Sequence, residues 1–323
     1  MGTLVGSAER GYLAFLYADG NEIGRLLQKL TSPEQYQAVS QALAEGTREA
    51  LYGALDAVCK GLPDEGYWPF DIVNIGGDDV TVLVQAGYAW ELGVEFLRRF
   101  EQEIKGRLQK ALGSWPQGWP DTVTASCGIA IADAKYPVRY LERLAADLLK
   151  SAKKVAKKSQ GAPKSAITFL WLPTPVAADK AEPLQSYYVR RHPADWRCEL
   201  ASRPYDLAQA QTILSCSLAM AAWPRALRHR WAEALERGVL TSANLIHYDI
   251  ARRTEKKQKG MYEILLQLGT LAAPDRDPTN KAAPIWHRIK DGNTIVYRTA
   301  LVDALELAEL QAMRPGVEEE EER

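Results

Sequence analysis

The chain is poor in the residues from which small reactive sites are most often built. Among its 323 residues are only four histidines and four cysteines. Cys59, Cys127, Cys198 and Cys216 fit neither zinc-ligand spacing nor a disulfide framework. Buried, reduced thiols of a cytoplasmic protein are therefore expected. His192, His229, His247 and His287 are scattered and make no recognisable metal or catalytic set. No apolar run approaches the roughly 20 residues a membrane span needs. The short apolar stretch in MGTLVGSAERGYLAFLYADG ends in a carboxylate, so neither a signal peptide nor a membrane partner is expected. An excess of one charge is missing too: 40 basic and 41 acidic side chains leave a net charge of −1. That balance points to no polyanionic partner beyond a local patch. There is no internal repeat of fixed period.

What is present is a packed core, with 46% hydrophobic and 25% charged residues, in a length that suits two domains. Tyr12 to Ala18, YLAFLYA, reads as a buried strand that stops at Asp-Gly-Asn. Asn21 to Leu30 has helical spacing. Ser32-Pro33 starts a longer helix, with Ser32 as cap and Pro33 in the first turn, running to about Cys59 and stopping at Gly61. Phe70–Ile75 and Asp78–Val84 read as strands around Gly76-Gly77, a favoured two-residue hairpin turn. A helix over Tyr88–Leu112, a loop over 114–120, a strand over Thr122–Ile131, a helix over Pro137–Lys158 and a last strand, AITFLWL, complete the first part. The order β-α-α-β-β-α-β-α-β implies an α+β sandwich with helices packed on a sheet. Pro173 to Asp195 reads as irregular. Beyond Asp206 the pattern is mostly helical, with a small turn at Lys290-Asp291-Gly292, and the acidic end GVEEEEER reads as disordered. The expected division is 1–172, a linker over 173–200, a helical domain over 201–314 and a tail over 315–323.

The chemistry concentrates at VNIGGDDVTVLV. Asp19 ends the first strand, and Asp78 and Asp79 follow the glycine turn. If the first strand lies beside the hairpin, these carboxylates meet at one sheet edge. Left unpaired there, they would cost several kcal/mol of repulsion and desolvation. A divalent cation removes that cost: Mg²⁺ takes oxygen ligands at about 2.0–2.1 Å and favours a few carboxylates together with substrate phosphates. Two ions about 3.5–4 Å apart hold both the attacking and the leaving oxygen of a phosphoryl transfer. Glycines without side chains let a nucleotide approach the backbone. Taken alone, Gly-Gly-Asp-Asp is also an ordinary solvated turn; the acid at the end of an earlier apolar strand favours the site.

FLYADGNEIGRLL, NIGGDDVTVLV and TASCGIAIADAKYPVRYLERLAADLLKSAKK, in this order, resemble the palm domain of the CRISPR polymerase. That is the large subunit of type III CRISPR effector complexes, a relative of GGDEF-type nucleotide cyclases. The resemblance covers about Tyr12 to Leu172; LASRPYDLAQAQTIL and the helices after it resemble that subunit's C-terminal helical domain more weakly. It implies a ferredoxin-like palm, an antiparallel sheet with helices packed on it, followed by a smaller mostly α-helical domain. It further implies a nucleotidyltransferase that condenses ATP into cyclic oligoadenylate or a cyclic dinucleotide for antiviral defence, with two Mg²⁺ or Mn²⁺ ions per site. Asp19, Asp78 and Asp79 become catalytic metal ligands, helped by the Gly20 carbonyl. Gly20, Asn21, Gly76, Gly77, Ser126 and Lys153 become nucleotide contacts. A homodimer through the palms is implied, with CRISPR complex subunits and RNA as further partners.

Departures from the family pattern keep two alternatives open. Asn21 stands where a second acid is common, which suits a non-catalytic structural subunit of an RNA-guided complex. A GTP-using diguanylate-type cyclase is the other, although Asp79-Val80 replaces the Glu-Phe of GGDEF enzymes. The nuclease domain, zinc module and second palm of the full-size subunit do not fit in this length, so a reduced, stand-alone version or a fragment is expected.

In YLERLAADLLKSAKKVAKK, residues Leu141, Leu144, Ala145, Leu148, Leu149, Ala152, Val155 and Ala156 form one apolar stripe, with Lys150, Lys154 and Lys157 opposite. Lys153 lies at the stripe's border. It matches the family's triphosphate lysine, and is equally read as a solvated side chain. Ser126 either faces nucleotide or is a satisfied strand hydroxyl. Arg203 and Tyr205 read as structural. Arg225, Arg228 and Arg230, near Trp223 and Trp231, read as a solvated helix or as an RNA or protein contact.

Overall fold

The computed structural model describes residues 11–60, 62, 67–113, 115, 119, 122–158, 163–174, 176, 178, 180–192, 196–273, 284–315 and 317. The expected Gly61 helix stop, most of the 114–120 loop and most of the acidic tail lie outside these residues. The chain divides into two compact units: residues 1–181 with 204–210, and 182–203 with 211–323.

The first unit begins with β1 (Tyr12–Gly20), α1 (Ile23–Leu27) and α2 (Pro33–Cys59). There follow β2 (Phe70–Gly76), β3 (Asp79–Gln85), α3 (Ala86–Leu112), β4 (Ala125–Asp133), α4 (Val138–Lys158) and β5 (Ala166–Trp171); α5 (Ala181–Gln185) has only its first residue in this unit. The start of α2 is as the sequence predicts. Ser32 Oγ accepts the Gln35 N–H at 3.2 Å, and Pro33 occupies the first turn. The strands form a mixed sheet in the order β2-β3-β1-β4-β5-β8, in which β8 is Tyr205–Asp206. The β2-β3-β1-β4 pairings are all antiparallel, and β4 and β5 run parallel across α4. This is the expected α+β palm.

Helices cover both faces, which is why β1 and β4 are apolar runs rather than alternating ones. On one face α3 lies against Cys127, Ile129 and Ile167, with Gly93 at the contact, and α2 packs on α3. On the other face α4 meets β4 at Gly128. A Cβ there would stand 2.4 Å from both the Ala145 carbonyl oxygen and the Leu149 nitrogen, so only glycine admits the helix. The predicted stripe of α4 is buried, Val155 only partly, while Lys150, Lys154 and Lys157 are exposed.

Two local readings change. The hairpin register pairs Gly76 with Asp79, so the turn residues are Gly77-Asp78 rather than Gly76-Gly77. One residue at positive φ suffices for such a turn, and Gly77, at φ 62°, supplies it at the first central position. The second unit is also less purely helical than expected. β6 (Val189–His192) arises within the segment read as irregular, and β7 (Trp196–Glu199) directly after it, inside the expected linker. They join β9 (His287–Asp291) and β10 (Thr294–Arg298) in a sheet ordered β6-β7-β10-β9. VRRH carries no apolar alternation and WRCE alternates over only four residues, too few for periodicity to reveal either strand.

The remaining helices are α6 (Leu207–Ala221), α7 (Arg225–Glu236), α8 (Val239–Ala251), α9 (Glu255–Ala272) and α10 (Leu301–Gln311). Arg228 is neither solvated nor available to a partner. It is 2% exposed, pairs with Glu309 of α10 at 3.0 Å and donates to the Ala221 carbonyl. Arg230 pairs with Asp249, and Trp223 and Trp231 pack edge to face. Arg203 pairs with Asp303 and Glu306, which bears out its structural reading. Among the described residues no helix is long and apolar enough to cross a membrane. All four cysteines are buried thiols.

Candidate active site

Strand pairing brings the acids together. The β1–β3 register sets Asp19 directly opposite Asp79, and the β1–β4 register sets Asp19 opposite Ser126. Directly opposed residues share a face, and Gly128, opposite Tyr17, shares it too. Since α4 rests on Gly128, Asp19, Asp79 and Ser126 all belong to the α4 side of the sheet. Asp78 sits at the hairpin turn beside them, and its carbonyl accepts the Gly20 N–H at 3.2 Å. A Cβ on Gly20 would stand 2.6 Å from Asp78 Oδ2, so the missing side chain lets that carboxylate reach across the end of β1. Gly76 does the same for Asp79, whose Oδ1 lies 2.6 Å from where a Cβ would be. Gly76 and Gly77 are exposed.

The electrostatics carry the mark of gathered carboxylates. Burial, and then the charge of Asp19, push the Asp78 carboxyl up to about 6, with Lys153 pulling the other way. Asp79 is raised by the same two causes. The Tyr17 phenol, two residues before Asp19 and on its face, is raised by burial and then by Asp79 and Asp19. Sequence reading passed over Tyr17, although two-residue alternation along a strand places it beside Asp19.

Lys153 reaches the acids from α4. Its ammonium hydrogen-bonds Asp19 Oδ2 and also donates to the Gly20 carbonyl at 3.2 Å. Its side chain and that of Asp19 are each 27% exposed. Ser126 is the satisfied strand hydroxyl: it is fully buried and donates to Asn21 Oδ1 at 2.8 Å. Asn21 also donates to Thr124 Oγ1 at 3.0 Å, and its N–H to the Thr124 carbonyl at 2.7 Å. Asn21 and Ser126 thereby clamp the end of β1 to β4. The next residue, Glu22, is at φ 60°, the one non-glycine at positive φ among the described residues. Such a conformation costs about 1–2 kcal/mol, and it stands at the N-cap of α1.

The donors at this end of β1 are hard oxygens, the carboxylates of Asp19, Asp78 and Asp79 and the Gly20 carbonyl, and a cation already sits on two of them, Asp19 and Gly20. That set fits Mg²⁺ or Mn²⁺ in kind. It is not a finished metal cage, for among the described residues no three acidic, histidine or cysteine side chains are gathered as a metal-binding group. His229, His247 and His287 lie in the second unit and are no part of the site.

Comparisons with known proteins find one family model that matches the acid-bearing part of the chain. Residues 12–162 match the family model described as Cas10/Cmr2, second palm domain. No curated protein matches the chain. Among solved structures, a Csm1–Csm4 cassette in complex with cA4 is similar at 15% identity and a TM-score of 0.47, over 95% of this chain and 37% of that one. A Csm1–Csm4 cassette in complex with pppApA is similar at 14% identity and a TM-score of 0.48, over 97% of this chain and 38% of that one. The guanylyl cyclase Cya2 is similar at 16% identity and a TM-score of 0.30, over 52% of this chain and 77% of that one. The chain spans less than two fifths of the length of the cassette chains it matches. Residues 12–162, which hold the acid-bearing hairpin, are therefore what the chain shares with the Cas10/Cmr2 second palm domain.

Proposed function

We propose that the first unit is a metal-dependent nucleotidyltransferase. In this reading it condenses ATP into a cyclic oligoadenylate or cyclic dinucleotide, as a CRISPR-type antiviral signal. The observation that carries the reading is the pairing of Asp19 with Asp79 beside the Gly77-Asp78 turn, with a cation held on Asp19 and the Gly20 carbonyl. The family match and the raised Asp78 and Asp79 carboxyls support it.

Asp19, Asp78, Asp79 and the Gly20 carbonyl would hold two Mg²⁺ or Mn²⁺ ions. When bound, such ions neutralise the triphosphate and make the ribose hydroxyl a better nucleophile. The hydroxyl of one nucleotide attacks the α-phosphate of another, and pyrophosphate leaves. Gly76 and Gly77 leave the hairpin backbone open for nucleotide to approach. Asn21 and Ser126 fix the position of Asp19, and Lys153 is the cation within reach of the phosphates. Two facing palms would complete the site, which makes a homodimer part of the proposal. Buried thiols suit a reducing compartment such as the cytoplasm.

One observation favours a second reading, that of a structural subunit bound to CRISPR partners and RNA. Asn21 supplies no carboxylate, and its side chain is engaged by Ser126 and Thr124. A single experiment separates the two: incubate the protein with ATP, or with GTP alone, plus Mg²⁺ or Mn²⁺, and analyse the products by mass spectrometry. Cyclic adenylates from ATP, reduced at least about 100-fold by Asp79→Asn, are expected. Cyclic di-GMP from GTP alone would transfer the site to the guanylate alternative. Silence with both nucleotides would favour the structural subunit.

A further inference from the structure

The ligands that Lys153 uses are the ones a metal would use. Its ammonium lies on Asp19 Oδ2 and the Gly20 carbonyl, both fixed by the strand ladder: Asp19 between Asp79 and Ser126, and Gly20 through its N–H to the Asp78 carbonyl. The helix that carries Lys153 cannot retreat. Ala152 and Ala156, on either side of Lys153, are buried against Ala166, and α4 is seated on Gly128. Only the four-carbon stem of the lysine is free to swing, and the partial exposure of both side chains gives it a way out.

We propose that Lys153 is a tethered counter-cation that occupies the divalent-metal position until nucleotide arrives. A divalent ion and an ammonium cannot share Asp19 Oδ2 and the Gly20 carbonyl, because their charges repel at such range. Metal uptake therefore requires Lys153 to leave, and leaving strands its charge unless an anion receives it. The triphosphate of an incoming nucleotide is that anion. Metal and nucleotide binding are then linked through one side chain, and by reciprocity each strengthens the other. The inference rests on the reading of the site as a metal-nucleotide site, and adds to it the order in which cations hold Asp19.

The test is direct Mn²⁺ binding without nucleotide, followed by the loss of the free-ion electron paramagnetic resonance signal. The wild type is compared with Lys153→Met, Lys153→Arg and the double variant Asp19→Asn/Lys153→Met, each checked for folding by circular dichroism. Lys153→Met is expected to bind Mn²⁺ about tenfold more tightly than the wild type, within the usual range of such coupling. Lys153→Arg, which keeps the tethered charge, is expected to stay near the wild type, and the double variant to lose the gain. Equal or weaker binding by Lys153→Met, with Mn²⁺ still held through Asp19, would overturn the counter-cation while leaving the metal site standing. Absence of Mn²⁺ binding in every protein, with and without a non-hydrolysable ATP analogue, would overturn both.

Discussion

At the scale of the residue, the site is a set of carboxylates that the fold holds at some cost. Asp78 shows the sign of that cost. Its folded value, about 6, lies above its ordinary 3.8, so the folded state keeps a proton that the unfolded chain releases. The stability this contributes is complete below 3.8 and is lost as pH rises through about 6. The metal-free protein should therefore lose stability over that window, and Asp78→Asn should lose less. Thermal melts of the two at pH 5 and pH 7.5 check this: the variant is expected to gain several degrees on the wild type between the two pH values. A difference that does not change with pH would contradict it. The acids themselves were legible in the sequence, because a carboxylate closing an apolar strand and a pair at a glycine turn are both local features. Neither the opposition of Asp19 to Asp79 nor the hold of Lys153 on Gly20 was legible, since register and side-chain reach are set by pairing across long sequence separations.

At the scale of the element, α4 is what couples fold to site. Its apolar stripe predicted its length and buried face, and the helix runs over Val138–Lys158 as its periodicity implies. How closely it lies on the sheet was hidden, for that depends on Gly128, one glycine within an apolar strand. Gly128→Ala places a methyl against backbone atoms at 2.4 Å, which no rotamer change relieves. It is expected to cost about 3 kcal/mol or more, at the upper end of overpacking, and to lift Lys153 from Asp19. Urea unfolding measures the first effect, and acylation of Lys153 followed by peptide mass spectrometry measures the second. A variant as stable as the wild type would show that α4 has room. The hairpin taught a smaller lesson: Gly-Gly marked the turn, but pairing decided which residues fill it.

At the scale of the molecule, the two units do not divide the chain at one point. Residues 204–210 belong to the first unit. There Tyr205 is buried with its ring edge-on to Trp90, and β8 pairs along β5. The palm is thus closed by residues that lie well beyond its last long strand. SRPYD showed nothing periodic, so this closure could not be read from pattern. Tyr205→Ala should destabilise the first unit by about 3–4 kcal/mol, as for other large buried rings. Hydrogen exchange should show the loss in β5 and α3 rather than in α8 and α9. Protection lost evenly over both units would argue that they unfold as one.

The central claim is that Asp19, Asp78 and Asp79 hold divalent cations at the end of β1. Its most direct measurement is an anomalous difference map from crystals grown with Mn²⁺ and a non-hydrolysable ATP analogue. Manganese peaks beside Asp19 and the Asp78-Asp79 hairpin are expected, with Lys153 turned from Asp19 to phosphate. Nucleotide bound elsewhere, with Lys153 still on Asp19 and no manganese beside it, would contradict the claim.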